Sequence, residues 1–84
     1  MKYDMIEKFI EKKINKNNKV NIHFKERSTL EGVFIQNDDY EELKAKNLWR
    51  IVSGEKLEEW NRTKDSGLTR IFNGAVFTRL TENN

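Results

Sequence analysis

Apolar and polar positions recur with two different periods along this chain, and the change of period marks its elements. Ile6, Phe9, Ile10 and Ile14 fall at the spacing of one helix face, with Glu7, Lys8, Glu11 and Lys12 between them. Residues 4–16 are therefore predicted to form an amphipathic helix. Asp4, three residues before Glu7, marks its start in the manner of a capping box. Lys12, Lys13 and Lys16 crowd its last turn, where the negative end of the helix dipole favours cations.

From Val20 the period becomes two. Val20, Ile22 and Phe24 alternate with Asn21, His23 and Lys25, the pattern of a half-buried strand. After a turn at residues 25–28, a second strand carries Leu30, Gly32 and Phe34 on one face and Val33 and Ile35 on the other. Glycine inside a strand packs nothing and costs backbone entropy, so Gly32 signals a bend or a close approach by another backbone. A strand amphipathic at one end and apolar on both faces at the other is expected to bend between two layers of a barrel.

Residues 37–47 read as a polar connection, its four acids at 38–42 forming a solvated loop. No histidine accompanies them and the calcium-loop glycine is missing, so no metal is expected. Residues 48–53, LWRIVS, are a third strand. Residues 54–66 are an excursion in which Leu57 and Trp60, three apart, suit a short helical turn capped by Ser53, while an extended hairpin arm fits as well. Two further strands, around 68–72 and 75–80, flank Asn73-Gly74, a dipeptide that favours a tight turn with positive backbone angles. The whole is predicted to be one mostly-β domain, a small, strongly bent five-stranded barrel over residues 19–81 behind the N-terminal helix.

Composition narrows the chemistry. Eighty-four residues allow one core, and with no cysteine that core is stabilised by packing alone, which fits a reducing, cytoplasmic setting. The charged N-terminal stretch lacks the apolar run of a signal peptide or a membrane span, so no membrane association is expected. Net charge is only +2, yet it is unevenly spread: residues 1–27 hold eight basic and four acidic groups, residues 28–61 four and eight, and residues 62–84 four and two. The lone histidine, His23, is expected to point to solvent without a partner. No nucleophile motif or phosphate-cradling glycine loop is present, so neither an enzyme nor a cofactor site is expected. Aromatics beside cations remain: Trp49 with Arg50, Trp60 with Arg62, Arg70 with Phe72, and Phe77 with Arg79, the pairing that nucleic-acid platforms use. Phe9, Phe24, Phe34, Phe72 and Phe77 are expected in the core with Trp49, leaving Trp60 partly exposed as a surface anchor.

The order helix, then five short strands with a glycine at the bend of the second, resembles the Sm-like family that includes bacterial Hfq. VNIHF resembles its first strand, LEGVF its second, and Asp38 stands where the first Sm motif has an aspartate. FNGAVFTRL is similar to the second Sm motif through Phe72, Gly74, Phe77 and Leu80. The resemblance implies a ring-forming, non-catalytic module that binds single-stranded RNA and self-associates through strand edges. Lys12, Lys13, Lys16 and Lys19 would contact phosphate, assisted by Arg70 and Arg79, with Gly32 and Gly74 structural. Two departures oppose family-type base recognition: Glu42 stands where the first motif has a base-contacting asparagine, and Asn73 where the second has its stacking basic residue. The alternative is a protein–protein assembly or adaptor domain on the same small barrel, without RNA binding.

Overall fold

The structure is a computed structural model that describes residues 1–11 and 19–83. Its first element, α1 (Tyr3–Glu11), buries Ile6 and Ile10 as the helical period requires. Residues 12–16 of the expected helix lie outside the described residues. The start is not a capping box: Asp4 lies inside the first turn, where its carboxylate accepts from the Met5 amide, while Glu7 reaches away to Lys44. The strands follow as β1 (Val20–Phe24), β2 (Leu30–Phe34), β3 (Leu48–Ser53), β4 (Arg70–Asn73) and β5 (Phe77–Glu82). They form one antiparallel sheet in the order β4-β3-β2-β1-β5.

Gly32 is the residue at which β2 changes neighbours. Leu30, Glu31 and Gly32 pair with β1, whereas Gly32, Val33 and Phe34 pair with β3. A Cβ there would meet the Val52 carbonyl oxygen at 2.8 Å and Ile51 Cγ2 at 2.9 Å, so the missing side chain is what lets β3 cross close beneath. A second irregularity lies in β5. His23 pairs with Arg79 but Phe24 pairs with Phe77, which leaves Thr78 as the extra residue of a bulge, its hydroxyl bonded to the His23 carbonyl at 3.1 Å.

These two devices curl the sheet. Three interstrand steps separate β4 from β1, about 14 Å in a flat sheet, yet the rings of Phe24 on β1 and Phe72 on β4 lie 5.8 Å apart. Phe72 also comes within 6.5 Å of Phe77 on β5, at the far edge. The curl is incomplete: β4 pairs only with β3 and β5 only with β1, so both remain edges and the sheet is open rather than a closed barrel.

Nor is the chain mostly β. The expected acidic loop contains α2 (Tyr40–Ala45), and the excursion is a 3₁₀ turn at Gly54–Lys56 running into α3 (Leu57–Thr63). Acids in the first turn and a cation in the last, Lys44 in α2 and Arg62 in α3, complement the dipole of each short helix. A non-glycine residue in the left-handed region follows each, Asn47 at φ 59° two residues past α2 and Lys64 at φ 54° directly after α3. The Ser53 side chain makes no capping bond. At Asn73-Gly74 the chain forms a 3₁₀ turn, Gly74–Val76, without positive backbone angles; the Asn73 side chain caps it by accepting from the Ala75 amide at 2.9 Å. Gly74 is required by space instead, since a Cβ would fall on Asn47 Oδ1 and within 2.6 Å of Ile6 Cδ1.

Alternation along β2 and β3 divides the core in two. On the concave face Ile6, Ile10, Ile22, Phe34, Trp49, Ile51, Phe77 and Leu80 pack together, with Val20 at the margin. Trp49 is 1% exposed and donates its indole N–H to Asn47 Oδ1 at 2.9 Å. On the other face Val33, Ile35 and Val52 are covered by Trp60 of α3. Trp60, 5% exposed, is therefore a core residue and not the expected surface anchor, because α3 folds back and lays the ring on the sheet. Lys44 ties α2 to α1 through Glu7 and also pairs with Glu41 of its own helix, and the two carboxylates raise the pKa of its ammonium above the ordinary value, keeping it charged. Among the described residues no helix is long and apolar enough to cross a membrane.

Candidate nucleic-acid interface

The curl that joins Phe24 to Phe72 also gathers cations around them. Phe24 ends β1, and the turn that follows swings Arg27 back so that its guanidinium lies 4.9 Å from the Phe24 ring centre and 5.8 Å from that of Phe72. Arg70, two residues before Phe72 and on the same side of the strand, lies 5.5 Å from the Phe72 ring. Such distances are those of cation–π attraction, about 0.5–1 kcal/mol at exposed sites. Neither arginine forms an ion pair with a described carboxylate.

Two surface cavities adjoin at this cluster and share Arg27 and Phe72 as a common wall. One, of about 400 Å³, is lined by Phe24, Phe72 and Val76 together with Lys25, Glu26 and Arg27. The other, of about 230 Å³, sets Arg27, Lys56 and Arg70 against a single carboxylate, Glu55. Val76, from the 3₁₀ turn, is 45% exposed at the first cavity, and Ile71, on the free β4 strand, is 47% exposed.

A third cavity, of about 420 Å³, has a different character. Arg50 on β3 donates to Asp39 at 2.6 Å and to the Thr69 hydroxyl at 2.8 Å, with Asp38, Asn37 and Ser66 around them. Its guanidinium is already neutralised and a second carboxylate stands beside it, so it does not attract an anion. The Asp39–Arg50 pair acts as a tether, holding the entry to α2 and the approach to β4 against the centre of the sheet.

Of the residues expected from the sequence to contact nucleic acid, Lys12, Lys13 and Lys16 lie outside the described residues. Lys19 is paired with Glu31 at 3.3 Å, and Arg79 is exposed on β5 opposite His23. Neither lines the two cavities, so Arg70 alone of the described candidates joins the cluster. Asp38 is an exposed turn residue and Glu42 lies on α2 with Lys46 at 3.8 Å. His23 does have partners: its ring nitrogens lie 3.2 Å from the Thr29 hydroxyl and 3.1 Å from that of Thr81, bridging β5 to the approach to β2. Arg27, Lys25 and Lys56 went unmarked in the sequence, although the adjacency of ring and cation that pointed to Arg70 and Phe72 also holds for Phe24, Lys25 and Arg27.

No protein-family model, curated protein or solved structure matches this chain.

Proposed function

We propose that this chain is a non-catalytic module that binds single-stranded RNA, of Sm-like type in its order of elements, and that it does so at the Phe24–Phe72 cluster rather than through the family's base-contacting positions, which here are Glu42 and Asn73. The supporting observation is the pair of guanidiniums, Arg27 and Arg70, held over two phenylalanine rings at a surface concavity and in no ion pair with a described carboxylate. Single-strand binders combine these two parts, rings on which bases stack and cations that track the backbone. A helix followed by five antiparallel strands, the second pivoting at a glycine, supports the family resemblance. The lost motif residues fit a displaced site: Asn73 caps a turn and Glu42 faces Lys46, just past the end of its helix.

The free edges of β4 and β5, with Ile71 and Val76 exposed beside one of them, support self-association by strand addition between copies.

One experiment addresses both statements: sedimentation of the protein with a fluorescently labelled single-stranded RNA over a range of salt. With one phosphate neutralised at this cluster, log K should fall against log salt with a slope of about −0.7, or roughly 2.5-fold from 50 to 200 mM, and more steeply for each further phosphate contact. RNA that fails to co-sediment at 50 mM salt overturns the binding proposal, and a monomer at every protein concentration overturns self-association.

A further inference from the structure

Resting on the RNA-binding proposal above, we infer that the two adjoining cavities form one site for a base and its neighbouring phosphate in an unpaired strand. The base enters the cavity of Phe24, Phe72 and Val76, and the phosphate enters the cavity of Arg27, Lys56 and Arg70. The division follows from what lines each side. The first is lined by two half-buried phenylalanine rings and an aliphatic side chain, apolar surface of the kind that packs against any base. The second sets three cations against one carboxylate, Glu55, beside Leu30, Ile51 and Leu68, and its net positive charge favours a phosphate at the cation side.

Phe72 and Arg27 belong to both walls, so a base stacked on Phe72 places its phosphodiester toward the cations across that same wall. Arg27 serves twice, through its charge and through a guanidinium that already lies over the rings and can itself stack on a base. A duplex is refused, because a base must leave its stack to enter a concavity, and A-form pairs present no free ring face. An acidic peptide would gain the cations but leave the ring cavity unused, whereas an unpaired strand uses both.

The test is a set of anisotropy titrations with a labelled seven-nucleotide single-stranded RNA, the same sequence as a duplex, and a labelled oligoglutamate peptide. Each is titrated with the native protein and with the variants Phe72→Leu, Arg70→Gln and Arg62→Gln, the last an exposed position on α3. Phe72→Leu should weaken single-strand binding about tenfold or more and leave the salt slope unchanged. Arg70→Gln should weaken it and reduce the slope by about 0.7. Arg62→Gln should change neither, and the duplex should bind at least tenfold more weakly than the single strand. Should Phe72→Leu fail to fold by circular dichroism, Arg27→Gln replaces it, with both affinity and slope expected to fall. Single-strand binding that is untouched by these variants, or matched by the duplex or by the peptide, overturns this site while leaving the module's affinity for RNA standing. No RNA binding by the native protein removes both.

Discussion

Replacing Trp60 with alanine should cost about 3–5 kcal/mol of folding stability, the range for emptying an aromatic position in a packed core. The ring is 5% exposed and lies over Val33, Ile35 and Val52, so its loss leaves one face of the sheet under a short helix with little else to hold it. Total stability for a domain of this length is of the order of 5–12 kcal/mol, so the variant would sit close to the threshold of folding. Its melting temperature should drop by more than about 10 °C. Urea unfolding of the native chain, Trp60→Ala and Ile71→Ala measures this directly. Ile71, 47% exposed, provides the surface comparison and should change stability by less than about 0.5 kcal/mol. If Trp60→Ala behaves like Ile71→Ala, Trp60 is a surface anchor after all and α3 does not cover the sheet.

Gly32→Val should destabilise by at least about 2 kcal/mol, against the direction that strand propensity gives. Valine is among the best strand formers and glycine among the worst, a difference of about 1 kcal/mol in favour of the substitution. Steric terms win here because the atom in the way is the Val52 carbonyl oxygen, 2.8 Å from the new Cβ and fixed in the β2–β3 ladder. A flexible side chain would swing aside, but this oxygen moves only if β3 moves. Hydrogen exchange should therefore show the loss concentrated in amides of β2 and β3, with α1 less affected. A neutral or stabilising Gly32→Val would mean that β3 does not cross close to the pivot.

The elements that the sequence makes legible are those whose signal is local and repeated. Ile6 and Ile10 mark a helix face and Val20 and Ile22 a strand face, because burial selects one side of a regular element. Gly32 was legible as a close approach because glycine has few other reasons to interrupt a strand. The helix α2 was not, since six residues carry only Tyr40 and Leu43 as apolar positions, and clustered acids suit a loop as well as a first helical turn. Trp60 misled for a related reason: its neighbours in sequence are charged, and what buries it comes from β2 and β3. Asn73-Gly74 matches the pattern of a tight hairpin turn, yet its glycine is required by contacts with Asn47 and Ile6, residues remote in sequence.

The candidate site shows the same division. Arg70 and Phe72 are neighbours along one strand and could be paired from the sequence alone. Arg27 and Phe24 reach them only because a bend at Gly32 and a bulge at Thr78 together bring β1 against β4 across two intervening strands. Pairing between distant segments leaves no periodic trace, so the cluster that carries the functional proposal is a product of curvature.

That curvature is also the most exposed point of the account. The direct measurement is a nuclear Overhauser experiment on protein labelled at its phenylalanine rings, since Phe24 lies 5.4 Å from Phe77 and 5.8 Å from Phe72 between ring centres. Cross-peaks linking Phe24 to both Phe77 and Phe72 are the expected result. A spectrum with the Phe24–Phe77 contact of paired strands but no Phe24–Phe72 contact would describe a flat sheet, and would contradict both the curl and the interface built on it.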